Sequence, residues 1–402
     1  LRKLFKAIRK PGVIIKRIYH ILFNLVGFLP KKKNLIIFES FLGKQYSDNP
    51  RAIYEYIRDN LPEYDLLWSI DKRYKQTFEE LNIPTINRLS IKWLFVMPRA
   101  HYWVINSRMP YWIRKPNHTV YLQTWHGTPL KKLAGDMEEV HMPGTTTKMY
   151  KDSFYKEARN WDYLISPNTY STKIFERAFI YEPKKILETG YPRNDFLINY
   201  NTKDYINQMK KTLGIPKDKK VILYAPTWRD NEYYAIGKYK FTLNIDFDQL
   251  KRSLGEEYVI LLRLHYLIAN KIDVSTYKDF VFDFSAHDDI RELYIISDLL
   301  ITDYSSVFFD YLCLKRPIIF YTYDIDTYRD KLRGFYFDFE KDAPGPLVKT
   351  TDQLIEAIKQ VDLEGVGPSE ALLRFHKEFC HLESGVSTER VVKSVFLERA
   401  TK

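Results

Sequence analysis

Two histidines carry the chemistry that this sequence suggests. The run Thr119-Val120-Tyr121-Leu122 has the β-branched and aromatic make-up of a strand, and it leads into Gln123-Thr124-Trp125-His126-Gly127. Tyr258 to Leu264 reads as a second buried strand, delivering Arg263 and His265 at its end. Ligands of open α/β sheets gather outside the carboxyl ends of the strands, and imidazole titrates near neutrality. A histidine placed there can take a proton from a reacting hydroxyl. Gly127 allows close backbone approach and Pro129 suits the first turn of a helix, so His126 is expected in a strand-to-helix loop. Either histidine alone also reads as a hydrogen-bonded structural residue, His126 beside a buried tryptophan. The pair, presented by two domains across one cleft, is the stronger signal.

The second strand-rich half also offers partners for an anion. Asp303-Tyr304-Ser305-Ser306 precedes a helical run through Phe309 and Leu312, and Ser305 or Ser306 would cap it. Uncovered N–H groups at such an end favour phosphate. Asp310 follows about one turn later, within reach of a ribose hydroxyl if a nucleotide phosphate sits at the helix start. Arg229 and Arg263, at strand ends, would neutralise the same diphosphate. The plainer reading is that the serines only cap and the arginines make surface ion pairs. Phosphate-loop and dinucleotide fingerprints are missing, as are His-Glu-x-x-His and paired Cys-x-x-Cys sites. Asp324 and Asp326 have the spacing of a metal-binding pair, a pattern frequent by chance, and neither metal nor cofactor is expected.

The elements that must position these residues follow an α/β rhythm. A chain of 402 residues exceeds the usual limit for one core, so two domains are expected. Strand-like runs at Leu35 to Phe38, Leu66 to Ile70, Tyr102 to Asn106 and Tyr163 to Ser166 alternate with helical patterns, which implies parallel βαβ units. The segment from Lys131 to Tyr155 weakens into a loop bordering the cleft. The lysine-rich stretch from Tyr200 to Lys219 is read as the boundary between a first domain, 34–200, and a second, 201–402. The rhythm then restarts at Val221, Tyr258, Val281, Leu299 and Pro317, and a last helix closes the chain from about Thr388. Cys313 and Cys380 are too few for a disulfide framework, and Cys313 reads as a buried thiol in a reducing compartment.

Charge is concentrated at one end. Ten of the 62 Lys and Arg residues lie in residues 1–33, before the first acid at Glu39, so the remaining 52 face 51 acids. The body therefore has no general claim on nucleic acid. The leader interleaves its cations with Leu4, Phe5, Ile8, Val13, Ile14, Ile15, Ile18, Leu22, Leu25 and Leu29 at helical spacing, as two amphipathic helices separated around Pro11-Gly12. Lys16, Arg17 and His20 argue against a spanning helix and for one lying on an anionic bilayer. Packing on the protein's own body is the competing reading. The first residue is Leu1 rather than Met, which suggests part of a longer protein.

Five motifs in order, Trp125-His126-Gly127-Thr128-Pro129-Leu130-Lys131, Gly190-Tyr191-Pro192-Arg193-Asn194-Asp195, Tyr224-Ala225-Pro226-Thr227-Trp228-Arg229, Arg263-Leu264-His265 and Thr302-Asp303-Tyr304-Ser305-Ser306, resemble those of the CDP-glycerol glycerophosphotransferases. These are bacterial wall teichoic acid primases and polymerases. The resemblance spans about 34–390. It implies a GT-B architecture, two Rossmann-like domains around a cleft, with CDP-glycerol held mainly by the second. It implies transfer of glycerol phosphate to the terminal hydroxyl of a lipid-linked acceptor with release of CMP, and peripheral attachment to the cytoplasmic face of the membrane. The family's two histidines map onto His126 and His265. Motif matching adds Thr302 to the donor side and Trp125, Gly127, Thr128, Arg193 and Asp195 to the acceptor side or cleft. CDP-ribitol or a nucleotide sugar as donor, and a non-catalytic membrane scaffold, remain alternatives. Abundant aromatics and the leader allow self-association on a membrane.

Overall fold

The computed structural model describes residues 11–140, 144–227, 233–235, 238–239, 244–264, 273–326, 334–365 and 367–398. Arg229 and His265 lie outside the described residues, as do residues 1–10 of the leader.

The apolar runs become strands in two parallel sheets. In the first domain these are β1 (Lys32–Glu39), β2 (Asp65–Ile70), β3 (Thr85–Asn87), β4 (Ala100–Ile105), β5 (Val120–Gln123), β6 (Tyr163–Ser166) and β7 (Ile186–Glu188). They lie in the order β3-β2-β1-β4-β5-β6-β7. The second domain contributes β8 (Lys220–Tyr224), a separate ribbon of β9 (Tyr233–Ala235) and β10 (Lys238–Tyr239), β11 (Tyr258–Leu262), β12 (Val281–Asp283), β13 (Leu299–Thr302), β14 (Ile318–Tyr321) and β15 (Leu347–Val348). Its sheet runs β12-β11-β8-β13-β14-β15. Counted from its own first strand, each sheet begins in the doubly wound order 3-2-1-4-5-6. The strand order therefore reverses between β1 and β4 in one sheet and between β8 and β13 in the other, and crevices open at those two places.

Central strands are buried on both faces, which is why they read as continuous apolar runs. In β8 the pleat sends Val221 and Leu223 into one core layer and Ile222 and Tyr224 into the other. Cys313 and Cys380 are free thiols in the second core, with their sulfurs 3.7 Å apart.

Three elements depart from expectation. Pro129 opens no helix. Residues 127–133 instead run against the second domain, where Lys132 N donates to Gly334 O at 2.9 Å and Tyr336 N donates to Leu130 O at 3.0 Å. Backbone groups satisfied across the interface have no need of a helix. The stretch expected as a loop beyond Lys131 contains the helix Thr147–Ala158, started by Thr146 accepting from Met149 N. The end of the chain leaves the second domain: the helix Ser387–Val392 and the turn of π-helix after it, Lys393–Leu397, place Val391, Val392, Val395 and Phe396 in the first domain's core. The polypeptide thus crosses between the domains twice.

The leader helix Pro11–Val26 does two things. Phe23 and Val26 are buried on the body, Phe23 stacking on Trp93 at 5.1 Å and His20 on Trp112 at 3.9 Å. On its other side Ile14, Ile15, Ile18, Ile21, Leu22 and Leu25 are exposed, beside Phe28 at 87% and Tyr111 at 80% exposure. No helix among the described residues is long and apolar enough to cross a membrane.

Candidate active site

A cavity of about 580 Å³ lies between the two sheets' carboxyl edges. The first domain lines it with Phe41, Ser47, Asp48 and the whole of 125–131; the second lines it with Arg263, Ser305, Ser306 and Asp310 among others. Gly127 makes this meeting possible. A Cβ there would stand 2.9 Å from Ser306 Oγ, so the glycine lets the loop that carries His126 lie close against the serine pair, and a side chain at 127 would make that hydroxyl turn away.

His126 sits one residue beyond Trp125, whose φ of +53° is a left-handed conformation that a bulky residue adopts only when its surroundings enforce it. Those surroundings are polar and buried. Trp125 N donates to Gln123 Oε1 at 3.0 Å, and Asn49 Nδ2 donates to the carbonyls of Thr124 at 3.1 Å and Trp125 at 3.3 Å. The imidazole is sandwiched between Trp125, 4.7 Å away and nearly parallel, and the edge of Phe41. Its Nδ1 lies 2.8 Å from the carbonyl oxygen of Asn106, at the end of β4. A carbonyl only accepts, so Nδ1 carries the hydrogen and Nε2 keeps the lone pair. Protein mass around the ring pushes its pKa below the usual histidine value, with Asp48 raising it and Arg193 lowering it further. The ring is nevertheless accessible to solvent within the cleft, so the lowering by desolvation applies most fully when a substrate fills the space. A neutral imidazole with a fixed tautomer at neutral pH is a general base in its working state.

Across the cleft, Arg263 follows β11 and its Nη1 donates to the carbonyls of Phe284 at 2.7 Å and Ser285 at 2.8 Å. That fixes the guanidinium plane at the cavity wall. Ser305 and Ser306 are half-buried at the start of the helix Val307–Tyr311, and Ser305 Oγ accepts from Val307 N at 3.4 Å, a weak cap.

The other predicted residues separate into two groups. Thr128 is buried at the cavity wall. Thr302 is fully buried and donates to Ala225 O at 2.7 Å, tying β13 to the end of β8 rather than facing the cleft. Asp195 likewise turns away: its two oxygens accept from Ser387 N at 2.8 Å and Thr388 N at 2.7 Å, capping the returning helix. Arg193 and Asp310 are paired with each other, at 2.9 and 3.0 Å, so the Asp310 carboxylate expected to meet a ribose is occupied. Asp324 accepts from Tyr304 OH and Asp326 lies near Lys349. Among the described residues no group of three His, Cys, Asp or Glu side chains could hold a metal ion.

Sequence reasoning passed over Asp48, Asn49 and Asn106. From the sequence Asn106 reads only as the end of a strand, and Asp48 and Asn49 carry no signal of their own. The available signal was position, since both follow the strands between which the sheet order reverses.

Two Rossmann-like domains meeting at their carboxyl edges, with a histidine on one wall and an arginine and serines on the other, define a GT-B-type transferase. The model of the family described as CDP-Glycerol:Poly(glycerophosphate) glycerophosphotransferase matches residues 21–397, and the chain belongs to that family. It is 60% identical over 394 residues to a teichoic acid poly(glycerol phosphate) polymerase of Bacillus subtilis (strain 168), covering 98% of this chain and 53% of that protein. It is 56% identical over 392 residues to a protein of the same description from Bacillus spizizenii, covering 97% of this chain and 99% of that one. The chain thus spans about half the length of the first relative and nearly all of the second. A structure of the wall teichoic acid polymerase TagF, a variant soaked with CDPG, superposes with a TM-score of 0.87 at 42% identity, covering 100% of this chain and 98% of that chain.

Proposed function

We propose that this chain transfers glycerol phosphate from CDP-glycerol to the terminal hydroxyl of a lipid-linked poly(glycerol phosphate) chain, releasing CMP. The observation that carries the reading is the contact between the His126 loop and Ser306 across the cleft, which sets a neutral imidazole beside groups suited to phosphate. His126 Nε2 takes the acceptor hydroxyl proton as that oxygen bonds to the glycerol-bearing phosphorus. The bond from that phosphorus to the CMP phosphate oxygen breaks, and CMP leaves with the electron pair. Arg263, Ser305 and Ser306 offset the charge that develops on the diphosphate. His265 and Arg229 are assigned to the same task on their motifs alone. The second domain would hold the donor and the first the acceptor.

Attachment to the cytoplasmic face of an anionic membrane belongs to the same proposal. The exposed isoleucines and leucines of Pro11–Val26, with Lys16 and Arg17 on the same helix, suit a helix lying in the headgroup layer. Ile18→Glu with Leu25→Glu should then greatly reduce cosedimentation with phosphatidylglycerol vesicles; unchanged binding would remove the helix from that role.

The deciding experiment measures CMP release from CDP-glycerol, CDP-ribitol and, as nucleoside diphosphate release, a UDP-sugar, with a glycerol phosphate-primed lipid acceptor. Release from CDP-glycerol alone is expected. Turnover of CDP-ribitol alone would keep the chemistry and change the polymer. No turnover of any donor by folded, membrane-bound protein would leave the scaffold reading.

A further inference from the structure

Behind His126 lies a chain of buried polar groups that runs from one domain to the other. Asn106, whose carbonyl holds the imidazole, donates from Nδ2 to Asp48 Oδ2 at 2.8 Å. Asp48 Oδ1 accepts from Arg193 Nη1 at 2.7 Å. Arg193 Nη2 then reaches both oxygens of Asp310, on the short helix that starts beside Ser306. A second path leaves the same arginine: Arg193 N donates to Asn49 Oδ1 at 3.1 Å, and Asn49 Nδ2 holds the carbonyls on either side of the Trp125 peptide. Asn49 and Asn106 are fully buried, and Asp48, Arg193 and Asp310 nearly so. Asp48 also adopts a φ of +66°, so its backbone is bent to deliver the carboxylate.

Such a cluster is a poor device for stability alone. Desolvating three charges largely cancels their attraction, and apolar side chains of equal volume would often hold two domains together as well. What charged, directional bonds add is geometry, because a bidentate guanidinium accepts few alternative placements.

We propose that Arg193, with Asp48, Asn106 and Asp310, is a positioning device that holds the His126 imidazole in register with the Ser305 and Ser306 end of the second domain. This rests on the phosphotransfer reading above and adds residues to it that act through the placement of His126. Docking of the domains aligns the base, since Nη1 of the arginine is held by Asp48 and Nη2 finds Asp310 only when the second domain is in place. Losing the arginine fork lets the imidazole and the donor phosphates drift relative to one another, and misplacement by an ångström costs turnover on the order of 10- to 100-fold.

The test uses the full chain with CDP-glycerol and primed lipid acceptor, and compares wild type with Arg193→Lys, Arg193→Met and Asp48→Asn. Unfolding midpoints confirm that each variant is folded. Charged groups around the ring are Asp48 and Arg193 behind it, Lys131 on its own loop, and Arg263, Asp288, Asp289, Arg291 and Asp310 on the facing wall. Arg193→Lys should lower kcat on the order of 10-fold or more while the donor KM stays within about threefold. Asp48→Asn removes a charge that favours the imidazolium, so the acid limb of the rate profile should move to lower pH. Arg193→Met removes one that disfavours it, and the limb should move to higher pH. A merely structural role predicts a lowered unfolding midpoint with kcat near that of wild type in the folded variants. Folded variants with an unmoved limb and kcat within about twofold of wild type would overturn the proposal. If Arg193→Met does not fold, the other two variants decide on the same readouts. Histidine ¹⁵N resonances of His126, titrated without substrate, should show the same displacement between wild type and Asp48→Asn. Wild-type protein that releases no CMP would sink the phosphotransfer reading, while the resonance shift would still accept or reject the positioning role.

Discussion

The two domains share a strand order and differ at their carboxyl edges. In the first, the loops after β1, β4 and β5 are locked: Phe41, Leu42, Asp48 and Trp125 all have positive φ, and Asn49 and Asn106 stitch those loops to one another. The product of that effort is one imidazole with one tautomer. In the second, the wall is simpler among the described residues. Arg263 leans on two carbonyls, and the serines stand on a helix of little more than one turn. Under the proposed phosphotransfer the difference follows the tasks: a base must point one lone pair at one proton, while a diphosphate with many oxygens accepts any array of donors at the right distance. Topology fixes where a site falls, and local strain marks which half does the directional chemistry.

The largest test of that contrast is His126→Ala. Loss of a general base should reduce turnover roughly 10²- to 10⁴-fold with the unfolding midpoint nearly unchanged. In the wild type, the acid limb of kcat, which reports the enzyme with substrate in the cleft, should fall below pH 6.5, because desolvation lowers the histidine pKa there and the base is active when deprotonated. A limb at or above 6.5 would assign the base elsewhere. Next comes Arg263→Lys, which keeps the charge and loses the fork. On the second wall, where placement is less exacting, the expected loss is smaller, on the order of 10-fold and mostly in donor KM. A loss as large as that of His126→Ala would erase the distinction between the two walls.

A third test addresses the crossover that joins the domains. Glu383 is partly exposed, but its Oε2 is buried and its Oε1 accepts from Tyr191 N at 3.0 Å and Asn194 Nδ2 at 3.1 Å; desolvation of the carboxyl pushes its pKa from 4.5 to about 8. The folded chain therefore holds a proton that the unfolded chain releases. Stability should decline as pH rises from about 4.5 towards about 8, and Glu383→Gln should flatten that decline by roughly a few kcal/mol. An unchanged pH dependence in the variant would mean the carboxyl is ionised in the fold.

Sequence alone carried the fold far because its signals are local. Continuous runs such as Leu299-Leu300-Ile301-Thr302 leave little but buried parallel strands, and both sheets were visible in that form. His126 was legible because it breaks an apolar run at a strand end. What stayed hidden depends on contacts distant in sequence. Nothing near Pro129 shows that its loop will borrow hydrogen bonds from residues 334–336 in place of a helix. Nothing near Asp310 shows that an arginine more than a hundred positions earlier will claim its carboxylate. The final helix is legible as a helix from about Thr388, but which of two cores its valines enter is settled only by the return of the chain.

Asp195 offers the smallest effect and the sharpest reading of motif against geometry. It stands at the end of the same motif as Arg193, and motif matching places both in the cleft. In the fold its carboxylate accepts from two successive backbone N–H groups at the start of Ser387–Val392, the helix that carries the chain's end back to the first core. Without those bonds two buried donors lose their acceptor, while no group facing the cavity moves. Asp195→Ala should therefore cost about 1 to 2 kcal/mol of unfolding free energy, the usual range for a lost cap, and leave kcat and donor KM within about twofold. Denaturant midpoints and CMP release measured on the same preparation separate the cases. A loss of turnover with stability unchanged would return Asp195 to the cleft and mean that the second crossing is held by the valine and phenylalanine contacts alone.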